Sequence, residues 1–327
     1  MIVTLTANPS LDRTVELGSP LERGAVLRAV GVTTDPGGKG VNVARAVTAA
    51  GRLALAVLPG QHDDPLLRAL RDHRIPHRAV PVPGLVRTNL TLTEPDGTTT
   101  KINQPGAALD AHVCGQLREA LLAEAAAARW VVLAGSLPPG VPASWYAELV
   151  VALRPLGCRV AVDTSEEPLV ALRATWPEAV PDLLKPNAVE LAQLTGADPD
   201  QLEEAAARLD PAPAVDAAGD LVRRGVGAVL VTLGAAGAVL VTADEAWFAT
   251  PPPVTPRSTV GAGDSSLAGY VLAESDGASP AERLRRAVAY GAAAASLPGS
   301  ALPTPDQTRP DAVSIVPLPA PLEKDAV

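Results

Sequence analysis

The sequence predicts an α/β fold, a doubly wound and mostly parallel sheet flanked by helices, with a small β-sheet lid. Three observations carry this. From Ala111 onward, short apolar strands alternate with helical segments, which is the pattern of repeated β-α units. The core has to be aliphatic, because 47% of the 327 residues are apolar yet only four Trp, three Tyr and one Phe occur. A hairpin signal, Asp96-Gly97, sits between β-branched alternating runs in "RTNLTLTEPDGTTTKIN".

The elements follow in order. Ile2–Thr6 reads as the first strand. "DPGGKGVNVARAV" passes from a glycine turn into a helix, with Val41, Ala44, Val47 and Thr48 on one face at helical spacing. A strand at Leu53–Leu58 and a helix at Asp64–Asp72 come next. The segment from His77 to Asn103 reads as an antiparallel hairpin off the main sheet. With the β-rich stretch Thr14–Thr33 it makes the lid, from segments of about 13–34 and 77–104. A helix to Arg129 precedes strand "WVVLAG", a helix from Ala143, strand "CRVAVDT" and a further helix. Strand "DLLKPN", helices to Arg224, and strands "AVLVTLG" and "AVLVT" complete the alternation. Residues 1–303 are expected to form one domain. Residues 304–327 are expected to be a proline-rich, surface-bound tail, with one apolar run at Val313–Leu318.

Charge and composition exclude several function classes. The formal net charge of −9 leaves no basic stripe for nucleic acid. An anionic substrate must therefore be held by locally placed Lys and Arg. Cys114 and Cys158, the only cysteines, form no CxxC pair, so neither a disulfide framework nor a thiolate metal site is expected. Such thiols suit a reducing compartment, and the cytoplasm is the expected location. "MIVTLTANPS" reads as a strand and not as a secretion signal. No window approaches the ~18 apolar residues of a membrane span.

Ligands of doubly wound sheets bind where strands end and helices begin. Those loops here are "GSLPPG", "DTSEEP", "KPNAVE", "TLGAAG" and "TVGAGD". In the last, Asp264 follows Gly261, Ala262 and Gly263. Either Asp264 caps a helix, or the three small residues open a cradle of amides for an anion. A carboxylate beside such a cradle repels phosphate unless it takes a proton from an attacking hydroxyl. "PGGKGVN" matches neither GxxxxGK[ST], since Thr33 and Gly40 stand at key places, nor GxGxxG, since Val43 does. Lys39 among three glycines still reads as a ligand contact. Asp12 in "NPSLD" is evenly balanced between a cap and a carboxylate for sugar hydroxyls. In "KPNAVEL", Asn187 and Glu190 fit a capping box. The other reading turns them to phosphates, with Glu190 holding Mg²⁺ through water. His62, His73, His77 and His112 show no metal spacing, and Ser136 lacks the GxSxG elbow of serine hydrolases.

Taken together, "NPSLD", "GGKGVNVARAV", "GSLPPG", "KPN" with Glu190, "TLGAAGA" and "STVGAGDS" resemble the PfkB (ribokinase-like) carbohydrate kinases. The resemblance runs from Met1 to about Pro303 and is nearest to the 1-phosphofructokinase branch. It implies a ribokinase-like fold with a lid, ATP and Mg²⁺ as cofactors, and phosphorylation of fructose 1-phosphate at the 6-hydroxyl. Fructose 6-phosphate and tagatose 6-phosphate are the alternative substrates, and a non-catalytic sugar-phosphate sensor is a more remote alternative. The resemblance makes Asp264 the general base, and Gly261, Ala262 and Gly263 the anion hole. It gives Asp12, Gly38, Lys39 and Asn42 to the sugar, and Arg28, Arg87, Lys101 and Ser136 to the phosphate already on it. Lys185, Asn187 and Glu190 order the ATP phosphates and Mg²⁺, while Thr232, Gly234, Gly237, Ser258 and Thr259 line the nucleotide. It also suggests a homodimer formed through the lid. One departure stands near the C-terminus, where Leu297 or Pro298 takes the place of the polar residue that some relatives have near adenine.

Overall fold

A computed structural model describes residues 1–319. The first half holds β1 (Ile2–Leu5), β2 (Ser10–Leu17), β3 (Ala29–Gly37), α1 (Lys39–Ala49), β4 (Ala54–Pro59), α2 (Pro65–Asp72) and β5 (His77–Val80). It continues with β6 (Arg87–Thr93), β7 (Thr99–Ile102), α3 (Ala111–Ala125), β8 (Trp130–Ala134), α4 (Trp145–Leu153) and β9 (Arg159–Asp163). There follow α5 (Glu166–Ala174), β10 (Leu183–Leu184), α6 (Ala188–Thr195), α7 (Pro199–Ala207) and α8 (Ala212–Arg223). The chain then forms β11 (Ala228–Thr232), β12 (Ala238–Thr242), β13 (Ala246–Thr250), α9 (Ala262–Ser275), α10 (Pro280–Ala295) and β14 (Ser314–Leu318). Many helix starts are legible as caps. Asp64, Asp110, Asp198 and Ser279 each accept a first-turn amide, and Pro65, Pro199 and Pro280 follow three of them.

The large sheet has the order β14-β13-β12-β11-β10-β9-β8-β1-β4-β5, parallel from β11 to β5 and antiparallel beyond β11. Its central strands are apolar on both faces because helices cover both. Along β8, Trp130, Val132 and Ala134 enter one core, and Val131 and Leu133 the other. All the parallel strands therefore end on one edge, where the glycine loop and the start of α9 lie.

The small sheet has the order β3-β2-β6-β7, with β2 and β6 parallel. The hairpin at Asp96-Gly97 joins β6 and β7 as expected. One expectation needs correction. His77–Val80 does not belong to the lid but pairs parallel with β4 at the edge of the large sheet, so the second lid segment starts at Arg87. His77 begins a four-residue edge strand, His-Arg-Ala-Val, and so short a pattern does not separate that from a hairpin arm. Within the tail expected to be bound at the surface, the apolar run takes a form that its sequence did not specify: Ser314–Leu318 pairs antiparallel with β13, extending the large sheet by one strand. The last residues of that tail, 320–327, lie outside the described residues.

Candidate active site

The glycine loop is shaped by what it rests on. Gly38, the N-cap of α1, has φ 104°, and a Cβ there would come within 2.7 Å of Thr6 Cγ2 and 3.2 Å of Pro9 Cα. Only glycine tolerates both the backbone angle and the approach to the end of β1. The loop sets Lys39 at the head of α1, with Nζ 2.9 Å from Asp163 Oδ1 and 3.9 Å from Glu190 Oε1. One turn on, Asn42 Nδ2 donates to Asp264 Oδ2 at 2.8 Å. Arg45, buried below, donates to Asn42 Oδ1 (3.4 Å) and to Pro36 O (2.8 Å) and pairs with Asp35 (3.3 Å). Asp35 in turn accepts from Ser300 Oγ at 3.1 Å.

At the start of α9 the cap reading of Asp264 is overturned. Gly261 is the N-cap, at φ 74°, and Asp264 is the third helical residue, buried and aimed inward. The amides of Gly261, Gly263 and Asp264 find no acceptor among the described residues, and that of Ala262 reaches only Thr259 O, at 3.4 Å. A helix start with free amides carries a positive dipole end. A Cβ on Gly263 would sit 3.3 Å from Lys185 Nζ, so that ammonium lies against the same opening.

Asp163, at the end of β9, ties these parts together. It is fully buried, with Lys39 Nζ on Oδ1 and Lys185 Nζ 3.2 Å from Oδ2. Burial pushes its pKa up, but the two ammonium groups outweigh that and hold it below the usual carboxylate range. For Lys39, burial acts downward, and Asp163, Glu190 and Asp264 outweigh it, so its pKa rises. Asp264 goes the other way. Burial, reinforced by the charge of Asp163, pushes its pKa up to about 6, against the opposing pull of Lys39, Asn42 and Lys185. Glu190 is also raised, by burial first and then by Asp163. Three carboxylates facing two ammonium groups leave the site short of positive charge, and Asp264 bears the consequence.

Asn187 and Glu190 do form the capping box of α6: Asn187 accepts from Glu190 N (2.8 Å), and Glu190 Oε2 from Asn187 N (2.9 Å). Glu190 Oε1 still faces Lys39. Thr232 ends β11 beside Asn187, and Gly234 (φ 58°) and Gly237 (φ 116°) make the turn into β12. Ser258 and Thr259 precede α9. They line a cleft of about 700 Å³ together with Thr14, Thr91, Lys101 and Gly299.

The lid residues divide into two groups. Asp12 accepts from Ser10 Oγ (2.8 Å) and Asn89 Nδ2 (3.0 Å). Arg87 donates to Gln104 O (2.9 Å) and Asn8 O (3.1 Å), and Asn8 Nδ2 donates to Ser136 Oγ at 3.2 Å. Arg87 and Ser136 thus share one cavity of about 500 Å³. Lys101 is elsewhere. It pairs with Thr91 on the sheet, so at ~3.3 Å per residue its backbone is about 13 Å along the strand from Arg87. Arg28 is exposed on the connection from β2 to β3, with no hydrogen bond or ion pair to the cluster among the described residues. Sequence reasoning passed over Asp163, Arg45, Asn8 and Asn89. Of these, only Asp163 left a signal, as an acid at the end of a buried strand in "DTSEEP".

What the arrangement can do follows from its parts. A carboxylate with a pKa near neutrality faces amides and ammonium groups suited to phosphate. That is the equipment of phosphoryl transfer to a hydroxyl.

Comparison with known proteins agrees. The sequence matches the profile of the pfkB family carbohydrate kinases over residues 6–307. It is 38% identical over 320 residues to 1-phosphofructokinase of Xanthomonas campestris pv. campestris, covering 96% of this chain and 97% of that one. It is 35% identical over 315 residues to ATP-dependent 6-phosphofructokinase isozyme 2 of Escherichia coli, covering 94% and 96%. The crystal structure of Phosphofructokinase-2 from Escherichia coli in complex with substrates and products superposes with a TM-score of 0.82 at 33% identity, over 94% of this chain and 96% of that one. With this fold and this constellation of side chains, the chain belongs to the pfkB family of carbohydrate kinases.

Proposed function

We propose that the protein transfers the γ-phosphoryl group of ATP to the 6-hydroxyl of fructose 1-phosphate, giving fructose 1,6-bisphosphate and ADP. The observation that carries this is Asp264, buried beside unpaired amides and Lys185 in the first turn of α9. Asp264 takes the hydroxyl proton as the O6–Pγ bond forms and the bond from Pγ to the bridging oxygen of ADP breaks. The amides of Gly261 to Gly263 and the ammonium of Lys185 hold the transferring group, whose charge is spread over its equatorial oxygens. Asn42 and Gly38 place the sugar, and Asp12 accepts from its hydroxyls. Thr232, Gly234, Gly237, Ser258 and Thr259 form the nucleotide wall, with Asn187 at its phosphate end.

Glu190 is the group suited to Mg²⁺. One oxygen closes the α6 cap, and the other is left to hold the ion's water. Mg²⁺ keeps most of its waters and takes one or two carboxylates plus phosphates. When bound, it neutralises phosphate charge.

Arg87 and Ser136, in one cavity, are assigned to the sugar's existing phosphate. A coupled assay of ADP release against fructose 1-phosphate, fructose 6-phosphate and tagatose 6-phosphate tests the substrate. Turnover confined to either of the last two defeats the proposal. In the same assay, Arg87→Ala is expected to raise KM for the phosphosugar by about 10–100-fold, the loss of a charge-assisted pair. An equal loss on unphosphorylated fructose contradicts the phosphate role.

The outer face of the small sheet carries Val15, Val32, Leu90, Leu92 and Ile102, with Val32 48% and Ile102 54% exposed. We assign this face to a second copy of the chain, so sedimentation should show a dimer; a monomer at micromolar concentration excludes it. Both cysteines are free and buried, which suits a reducing cytoplasm, a location that cell fractionation checks.

A further inference from the structure

We infer that Asn89, with Ser10, is a positioning residue that turns Asp12 into a one-sided acceptor for a sugar hydroxyl. The inference rests on the kinase reading above and extends it to the recognition of the sugar's hydroxyls. Parallel pairing of β2 with β6 sets Ser10 opposite Arg87 and Asp12 opposite Asn89, all on the face that looks into the cleft. Asn89 Nδ2 donates to Ser10 Oγ (3.1 Å) and to Asp12 Oδ1 (3.0 Å), while Ser10 spends its one hydroxyl proton on the same Oδ1 (2.8 Å). Every donor of the triad is thereby used. Asp12 Oδ1 is filled, and Oδ2 has no donor among the described residues. That oxygen lies over Gly37, where a Cβ would overlap it, so the glycine also keeps this side open.

The carboxamide cannot reverse. Turning Asn89 would set its oxygen against Asp12 Oδ1, and the oxygen in its present place is buried without a partner. No cation forms an ion pair with Asp12 among the described residues. Arg45 and Arg87 both feel its charge, but Arg45 pairs with Asp35, which also accepts from Ser300, and Arg87 donates to Asn8 O and Gln104 O. A carboxyl group hydrogen-bonded by two neutral donors on one oxygen, with the other oxygen left over, suits a neutral hydroxyl donor. Arg87 stands two residues along the same strand face, about 7 Å away by strand rise. One edge of the lid thus measures the distance from phosphate to hydroxyl.

Calorimetric titration of fructose 1-phosphate, fructose 6-phosphate and tagatose 6-phosphate into the wild type and Asn89→Leu tests this. The Kd of whichever sugar phosphate binds is expected to rise about tenfold in Asn89→Leu, the loss of a hydrogen bond to a charged group. In Asn89→Asp, binding is expected to be weak at pH 8 and to recover towards pH 5, because protonating one of two facing carboxyls restores a donor to Asp12. An unchanged Kd in Asn89→Leu overturns the positioning role and leaves the kinase reading standing. Binding of fructose 6-phosphate alone, with the tenfold loss, overturns fructose 1-phosphate as substrate and leaves the triad. Failure of the wild type to bind any of the three overturns both. If Asn89→Leu does not fold, Asn89→Asp decides, and a pH-independent Kd overturns the inference.

Discussion

Asp264→Asn is expected to lower kcat by about 10²–10⁴-fold, the contribution of a positioned general base, with little change in the Kd of the sugar phosphate. Asn keeps the size of the side chain, so the packing at the start of α9 survives. Arg45 holds the oxygen end of Asn42, and the introduced carboxamide can turn its own oxygen to accept from Asn42 Nδ2. What disappears is the proton acceptor. The same group predicts the pH profile of the wild type. The base works ionised, and burial, then the charge of Asp163, raises its pKa to about 6. Activity is therefore full above that value and is lost as pH falls through it, kcat/KM dropping about tenfold per unit on the acid side. Initial rates from pH 4.5 to 8 read this directly. A variant with wild-type kcat, or a wild-type profile flat through pH 6, sinks the assignment.

Asp163→Asn is expected to destabilise the fold by about 3–5 kcal/mol, read as a lower urea midpoint, because it breaks a buried ion pair and strands a charge. Lys185 is the stranded partner, its side chain 4% exposed. Lys39, at 35%, can turn to water. Since the folded pKa of Asp163 lies below its unfolded value, its stabilisation is present above the unfolded pKa and fades as pH falls through the folded one. The variant should thus lose most against wild type at neutral pH. Removing the second charge as well, in Asp163→Asn with Lys185→Met, should recover part of the loss if the pair is coupled. Additive losses would show that the two side chains act independently. On the functional side, Asp163→Asn removes the negative charge that raises the pKa of Asp264 and frees two ammonium groups to act on it, so the acid limb moves to lower pH. A limb that stays in place contradicts the electrostatic account.

Much of this was written locally. The αL and positive-φ glycines at Gly38 and Gly261, the capping box of Asn187 with Glu190, and the Asp96-Gly97 turn are short-range features, and each appears where the sequence puts it. The strand ends named by the α/β alternation did gather the acidic and basic groups. Long-range pairing was less visible. His77–Val80 and Ser314–Leu318 are short strands of four and five residues, too short for periodicity to say which strand they join. The four residues assigned by resemblance to one phosphate separate in space: Arg87 and Ser136 meet, Lys101 stands about 13 Å along the strand, and Arg28 is exposed.

The sequence by itself determined the fold class and the glycine loops, and it singled out Asp264 as the residue proposed here as the base. Backbone conformation and binary pattern act over a few residues, and a chain states such things plainly. The tertiary structure alone decided that Asp163 would be shared by two lysines 124 and 22 residues away. It alone decided that Asn89 would hydrogen-bond Asp12, and that burial would raise the pKa of Asp264. Each of these depends on burial and on charges brought together from distant strands, and a pKa is set by the field at a point in space, which no local stretch of residues contains.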